Sequence, residues 1–208
     1  MSARDAILGK LRASVPVDLA AQAAALVAGS ERPPEPAGSL VERFVARLAG
    51  PSVSATLDRI DDATALPDAV RRYLATHALP AALYLPPAAR VAALDWSGFR
   101  IDAAVVPDQV AALAVAKAGV AESGSLMFET GPDAPMLPNF LTLHHIVALA
   151  TDDLVATLED IPADLTKHRA HYWVTGVSGT TDIEGQYVRG AHGPRFLHVV
   201  LVGEVRHR

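Results

Sequence analysis

A glycine-rich segment near the end of the chain concentrates side chains that could hold an anion. It covers residues 175–202, TGVSGTTDIEGQYVRGAHGPRFLHVVLV, and places hydroxyl, carboxylate and imidazole groups between its glycines. Backbone amides in glycine-rich turns form concavities that bind anions without requiring a net positive charge. The candidate ligand-binding residues of this segment are Ser178, Thr180, Asp182, Glu184 and His192.

A second segment, AESGS at residues 121–125, offers a carboxylate beside a serine–glycine hinge. Glu122 has apolar neighbours in the sequence, so we expect its charge to be paired, hydrogen-bonded or neutralised. It is a candidate catalytic residue, because carboxylates can act as covalent nucleophiles. The alternative is that it accepts backbone hydrogen bonds and only fixes the turn. The candidate ligand-binding residues here are Ser123, Gly124 and Ser125.

The apolar run LTLHHIVALA at residues 141–150 carries two adjacent histidines. Such a run is typical of a parallel strand that is buried on both faces. Because side chains alternate along a strand, His144 and His145 must point to opposite faces, and at most one can enter a given pocket. We take His145 as a ligand-binding candidate.

A metal site is an alternative for the histidines, and we predict that the chain has none. The ligand-type side chains show no tight spacing, such as an i,i+4 pair on one helix. The side chains considered for such a site are His145, His192, His198, Asp182 and Glu184.

Composition and charge exclude several classes of protein. The 208 residues carry a formal net charge of −5, whereas nucleic-acid binders usually need a basic surface. A chain with no cysteine cannot hold a disulfide or a thiolate-ligated iron–sulfur cluster. No apolar run reaches the roughly 18 residues that span a bilayer, and the N-terminus does not resemble a secretory signal. We expect a soluble cytoplasmic protein.

Dinucleotide and nucleotide fingerprints are also missing. The sequence has no G-x-G-x-x-G run between a strand and a helix and no P-loop, which disfavours a dehydrogenase working alone. We therefore expect no cofactor in this chain apart from a small anionic ligand, such as a carboxylate or phosphate.

Helical and strand patterns alternate along the chain, which predicts an α/β fold with a mostly parallel sheet. A helix or helix-like run is predicted from Asp108 to the serine–glycine hinge, and another helix from Asp152. The other predicted helices cover residues 3–13, 19–27, 40–48 and 67–77, and the predicted strands cover residues 52–60, 81–85, 141–150 and 170–175.

Two regions are predicted along the chain. Residues 1–37 form a helical arm followed by the proline-rich linker SERPPEPAG, which begins at Ser30 and opposes helix and strand. We interpret the arm as a packing or dimerisation element, so a homodimer is one expected assembly. Residues 38–208 form the α/β domain.

Four motifs with their spacing resemble the LUD-domain family, and the resemblance spans nearly the whole chain. It implies a three-layer α/β/α fold of the NagB/RpiA/CoA-transferase-like type. It also implies a role in oxidising L-lactate to pyruvate beside iron–sulfur partner proteins of lactate utilization. The motifs are AESGS at 121–125, the strand histidine His145, TGVSGTTDIE at 175–184, and GAHGP at 190–194 followed by LHVVLV.

One departure from the family pattern bears on the ligand. Gly179 stands where relatives usually carry an arginine or lysine, and such a cation would pair with a carboxylate or phosphate. We expect a subunit that supports lactate oxidation, with the site hydroxyls and amides holding the anion. The alternative is a free-standing acyl/CoA-transferase-like or isomerase-like enzyme that uses Glu122, and whether the chain is itself catalytic stays open at this stage.

Overall fold

The computed structural model describes residues 2–13, 18–28, 36–102, 104–106, 109–161 and 169–203. The helices are α1 (Ala3–Ala13), α2 (Leu19–Ala28), α3 (Leu40–Ala49), α4 (Leu66–Thr76), α5 (Ala89–Ala92) and α6 (Pro138–Leu141). The strands are β1 (Thr56–Ile60), β2 (Ala82–Tyr84), β3 (Arg100–Asp102), β4 (Gln109–Val115), β5 (Ala118–Val120), β6 (Ser125–Glu129), β7 (Thr142–Ala150), β8 (Leu154–Val155), β9 (His171–Val174), β10 (Gly179–Thr181), β11 (Tyr187–Arg189) and β12 (Phe196–Val202).

The main sheet consists of six strands within the described ranges, in the order β1-β12-β7-β4-β2-β3, and its pairings are parallel. Successive residues of β7 enter opposite cores. Val147 and Leu149 belong to one core, whereas Ile146 and Ala148 belong to the other. The predicted doubly buried strand at residues 141–150 is therefore confirmed, since a strand with apolar side chains on both sides must be covered on both faces.

Different elements cover the two faces of the main sheet. On one face, α4 and α5 pack through Val70, Leu74 and Val91. On the other face, α3 packs through Phe44 beside a small sheet, whose strands in the described chain follow the order β8-β5-β6-β9 and which contributes Leu126. The predicted α/β fold with a mostly parallel central sheet is confirmed, and the second covering layer contains strands as well as a helix.

The helix predicted from Asp108 is wrong. Residues Gln109–Val115 form β4, which lies between β7 and β2 in the main sheet. Alanine favours helices in isolation, but tertiary context overrides that preference. Ala111 and Ala112 are fully buried in β4, where their small side chains fit under both covering layers.

The helix predicted from Asp152 is also wrong. Residues Thr151–Asp153 and Leu158–Asp160 form 3₁₀ turns, and β8 lies between them. β8 pairs with β5 at the edge of the small sheet, so its backbone groups bond to a neighbouring strand instead of forming a helix.

The chain divides into two units, Met1–Pro36 and Ala37–Arg208. The first unit contains α1 and α2, so its predicted helical character is confirmed, while most of the predicted proline-rich linker lies outside the described residues. The predicted packing or dimerisation role of this arm stays a prediction. Within the described ranges, no helix combines the length and apolar character that crossing a bilayer requires.

Three buried histidines lie on the central strands of the main sheet. His144 and His198 belong to the face covered by α4: the Tyr73 hydroxyl is 2.9 Å from His144 Nδ1, and the Tyr73 ring stacks on His198 at 4.1 Å between centroids. His145 lies on the other face. Burial lowers the pKa of His144 and of His198 to about 4, and that of His145 to about 3. All three are therefore neutral near pH 7.

We expect stability to fall as the pH is lowered. The three histidines have an ordinary pKa of 6.5 in the unfolded chain and a lower pKa in the folded chain, so unfolding takes up protons. Their contribution is complete above their unfolded pKa and is lost as the pH falls toward the folded values. For His145 the expected slope is about 1.4 kcal/mol per pH unit in that window.

Urea denaturation between about pH 7 and about pH 5 measures this dependence. His145→Gln should show a shallower decline than the natural chain, because glutamine does not titrate. An equal free energy of unfolding at both pH values in the natural chain would contradict the assignment of neutral, buried histidines.

The contact between the small sheet and the main sheet leaves no room for a side chain at Gly119. A Cβ atom there would lie 2.5 Å from Leu149 Cδ2 and 2.8 Å from Leu154 Cδ2. Gly119→Ala should lower the free energy of unfolding by about 1–3 kcal/mol through overpacking. Gly9→Ala is the matched control, since nothing lies within 4 Å of a Cβ atom at Gly9. Equal stabilities of the two variants in urea denaturation would refute this packing.

Candidate functional site

A cavity of about 320 Å³ opens beside the first residues of β7 and β12 and the end of β9. We call it the His145 cavity. Its polar lining comes from Asn139, His145, Thr175, Ser178 and His192. The geometry thus brings together three of the predicted residues, His145, Ser178 and His192, from separate parts of the chain.

The His145 imidazole is fully buried, and neither of its nitrogens has a hydrogen-bond partner among the described residues. Its ring lies 5.8 Å from the Phe128 ring, between centroids, on the side of the small sheet. A buried polar group without a partner costs free energy, and native structures keep few of them. A neutral imidazole offers one donor and one acceptor, so a ligand in this cavity could satisfy it.

A chain of hydroxyl groups connects the AESGS hinge to the His145 cavity. Ser123 Oγ lies 2.8 Å from Ser125 Oγ, which in turn lies 2.6 Å from Thr175 Oγ1. Ser125 is buried, and only Thr175 of the three lines the cavity. The predicted residues Ser123 and Ser125 therefore stand behind the cavity wall and orient the Thr175 hydroxyl.

Close backbone packing holds the loop that carries Ser178. Gly176 adopts a positive φ of 91°, and a Cβ atom there would lie 2.6 Å from the Val53 carbonyl oxygen. Only glycine combines this conformation with so close an approach. The Val177 amide donates to the Val53 carbonyl, and the Ser178 amide donates to the Pro194 carbonyl at 2.8 Å. These bonds fix the Ser178 side chain at the cavity.

The structure does not place Glu122 in the His145 cavity. The side chain is exposed, and its Oε1 atom accepts a hydrogen bond of 3.1 Å from the Leu158 amide. The expected hydrogen bond to this carboxylate is present, and its backbone donor favours the structural alternative over a catalytic role. Gly124, with a φ of 74°, packs against Arg47 and Val53 and also lies outside the cavity lining.

Three further candidates lie on the hairpin of β10 and β11 and do not line the cavity. Asp182 Oδ1 accepts hydrogen bonds from the amides of Glu184 and Gln186, at 2.9 and 2.8 Å, so it caps the hairpin turn. The side chains of Asp182 and Glu184 are exposed, and Thr180 pairs with Val188. Their ligand-binding role stays a prediction that the geometry does not support.

Sequence reasoning missed two polar residues of the cavity, Asn139 and Thr175. Asn139 is buried and donates a hydrogen bond of 2.7 Å to the Tyr172 hydroxyl. The sequence feature that could have identified Asn139 is a single amide side chain in a proline-rich loop, directly before the strand that carries the histidines. Thr175 opens the glycine-rich segment, but only the pairing of β6 with β9 brings it to Ser125.

The histidines considered for a metal do not form one cluster. His198 is on the face covered by α4, where its Nδ1 atom lies 2.8 Å from the Thr56 hydroxyl. His145 and the exposed His192 belong to the cavity on the other face. In the described parts of the chain, no three His, Asp or Glu side chains are grouped as metal ligands would be.

The structure shows which side chain fills the space that a basic residue at position 179 would need. A Cβ atom at position 179 would overlap the Tyr187 ring, so tyrosine occupies the space of a longer side chain. Arg189 pairs with Gly179 across the hairpin, and its guanidinium donates to Ser54 Oγ at 3.0 Å. As a result, the lining of the His145 cavity contains no arginine or lysine among the described residues.

Comparison with known proteins finds a related domain and a related fold. The LUD domain model matches residues 109–202. Lactate utilization protein C of Deinococcus radiodurans is 32% identical over 93 residues, and the match spans 40% of this chain but only 42% of that protein. The crystal structure of a DUF162 family protein from Deinococcus radiodurans shares the fold, with a TM-score of 0.61 at 20% identity, over 79% of this chain and 96% of that one. Residues 109–202, which contain every residue that lines the His145 cavity, therefore match the LUD domain model.

Proposed function

We propose that this chain is a subunit of a lactate-oxidising system and that its His145 cavity binds a small carboxylate. The observation that carries the proposal is the buried His145 imidazole, which has no partner among the described residues and faces a cavity with two hydroxyl groups. The similarity to Lactate utilization protein C supplies the metabolic context, since that relative is named for lactate use.

The cavity offers neutral hydrogen-bonding groups that match a 2-hydroxy or 2-oxo acid. The hydroxyls of Thr175 and Ser178 can donate to a carboxylate, and the neutral His145 imidazole can donate to, or accept from, the oxygen on the neighbouring carbon. Hydrogen bonds to a charged carboxylate are stronger than those between neutral groups. Without a cationic side chain in its described lining, the cavity should bind such an acid with modest affinity.

The rim of the cavity suggests a partner protein. Phe140 and Trp173 line the cavity and are about two-fifths exposed, at 40% and 44%. Leu143 is exposed at the start of β7 and, two residues before His145 on the strand, faces the same side of the main sheet. A contiguous exposed apolar patch marks an interaction surface. We assign it to an iron–sulfur partner, because oxidising lactate requires an electron acceptor and a cysteine-free chain cannot ligate such a cluster through thiolates.

The alternative of an acyl or CoA transferase that uses Glu122 has less support. A covalent nucleophile should face a pocket where it can reach its substrate. Glu122 instead lies outside the cavity lining and is hydrogen-bonded to the Leu158 amide.

Ligand binding can be tested by calorimetric titration of L-lactate and pyruvate. We expect one of the two acids to bind, and Ser178→Ala and His145→Gln each to weaken binding about tenfold through the loss of one hydrogen bond. His144→Gln is the matched control, because it changes the adjacent buried histidine on the opposite face. No binding by the natural chain, alone or with its partners, would overturn the carboxylate assignment, as would an equal loss in His144→Gln.

Partner binding can be tested by co-purification with iron–sulfur proteins of a lactate utilization system. Phe140→Ser should reduce their recovery several-fold, because it removes an apolar side chain from the centre of the proposed interface. Ile101→Ser is the control: Ile101 is 39% exposed, like Phe140, but lies on β3 at the edge of the main sheet. Equal recovery with both variants would refute the interface, and recovery of only a second copy of this chain would replace the partner with a homodimer.

A further inference from the structure

A second and larger cavity, of about 510 Å³, opens at the carboxyl ends of β2 and β4. We call it the switch cleft, and define it by Tyr84, Arg90, Val115, Lys117, Phe128 and Tyr172. None of the candidate residues derived from the sequence motifs lines it. Its volume lies in the range of about 300–1,000 Å³ that is typical of sites for cofactor-sized molecules, and it greatly exceeds the needs of a three-carbon acid.

The topology of the main sheet explains why a cleft forms here. β2 and β4 are neighbours, but the chain leaves β2 toward β3 on one side and leaves β4 toward β7 on the other. The segment after β2 forms α5, whose Val91 packs into the core under α4. The segment after β4 enters the opposite core through Ala116 and Ala121. Connections that diverge to opposite faces leave a crevice between them, and open α/β sheets bind their ligands at such switch points.

Two cations, Arg90 and Lys117, stand at the mouth of the switch cleft. Arg90 and Lys117 are exposed, and neither side chain makes an ion pair or hydrogen bond with the described residues. The backbone of Lys117 is held by its amide, which donates to the Met127 carbonyl at 2.8 Å. A guanidinium and an ammonium that converge on one cavity suit a phosphate group, which arginine recognises through two parallel hydrogen bonds.

The lining of the cleft also contains two carboxylates, those of Glu129 and Asp133. Glu129 lies 3.8 Å from the His171 imidazole on the neighbouring strand, so the small sheet already engages it. Asp133 is exposed in the loop that forms the other rim of the cleft. The lining thus carries two cations and two carboxylates, and among the described residues Arg90, Lys117 and Asp133 have no ion-pair partner, so both cations are available to an anionic ligand.

The interior of the cleft is suited to a flat ring. Phe128 and Tyr172 stack on each other at 5.3 Å between centroids and form one wall. Phe128 is only 3% exposed, so the half-buried Tyr172 ring provides the accessible surface of this wall. Pro86, Pro135 and Pro138 contribute rigid apolar faces, while the Tyr84 and Tyr172 side chains bring hydroxyl groups. Aromatic surfaces bind the faces of heterocycles by stacking, largely independently of the base.

From the switch point, the unpaired cations and the aromatic wall, we infer that the switch cleft binds a nucleoside phosphate. Arg90 and Lys117 hold the phosphate, and the ring of the base packs between the aromatic wall and the prolines. This site is separate from the His145 cavity, although Asn139 lines both, so the inference does not rest on the proposed function.

Calorimetric titration with ADP, adenosine and inorganic phosphate tests the inference on the full chain. We expect ADP to bind more tightly than either fragment, because the cleft recognises both parts of the molecule. Arg90→Ala and Lys117→Ala should each weaken ADP binding about 10- to 100-fold, the effect of losing a charge-assisted hydrogen bond. Both side chains are exposed, so the variants should keep the thermal stability of the natural chain.

Arg59→Ala is the matched control, since Arg59 is an exposed cation on β1 at the opposite edge of the main sheet. Equal weakening by this variant would show that ADP responds only to overall charge and would overturn the inference. Binding of adenosine or of phosphate as tight as that of ADP would overturn it as well. Failure of ADP to bind while L-lactate or pyruvate still binds would reject the switch cleft and leave the proposed function standing.

Discussion

The double burial of β7 is the constraint on which the rest of this structure depends. A strand with apolar side chains on both sides is stable only if both faces are covered, so it needs a helical layer on one side and further cover on the other. The same two-residue period places the two adjacent histidines on opposite faces of the sheet. His144 enters the layer under α4 and bonds to Tyr73, whereas His145 points toward the small sheet. One rule of strand geometry thus produces both the core and the polar group of the cavity.

The small sheet turns this buried histidine into the wall of a cavity. β9 pairs with β6 and ends at Val174, so the glycine-rich segment begins directly beside His145. Gly176 then lets the chain pass against the Val53 backbone, and the following amides are bonded to Val53 and Pro194. Because these backbone contacts use main-chain groups, the side chains of Thr175 and Ser178 remain available to a ligand. The cavity is therefore built by packing that tolerates little change.

The sequence predicted the structure correctly where the spacing of hydrophobic residues along the chain determines the type of element. The aliphatic run of β7 identified a buried parallel strand, and strand alternation allowed only one of its two histidines to enter a given pocket. The family resemblance, not the alternation, pointed to His145. Sequence reasoning failed at β4, because an alanine-rich segment reads as a helix until neighbouring strands on both sides are known. It expected a hydrogen-bonded Glu122, which the structure shows, but not the exposure of that side chain, since apolar neighbours in sequence do not determine which side of a turn faces solvent. Thr175 and Asn139 line the cavity because of contacts between segments that are distant in sequence, and no local sequence pattern indicates those contacts.

Gly179 and Tyr187 show how a departure from a family pattern is absorbed by the structure. The tyrosine ring fills the position where a side chain at 179 would lie, so restoring a basic residue there would require Tyr187 to move. Arg189, which pairs with Gly179 across the hairpin, carries a positive charge next to this position. Its guanidinium donates to Ser54 and lies outside the cavity lining. The two cavities therefore differ in character. The His145 cavity relies on neutral donors for a small acid, whereas Arg90 and Lys117 line the switch cleft, where a larger and more highly charged ligand fits.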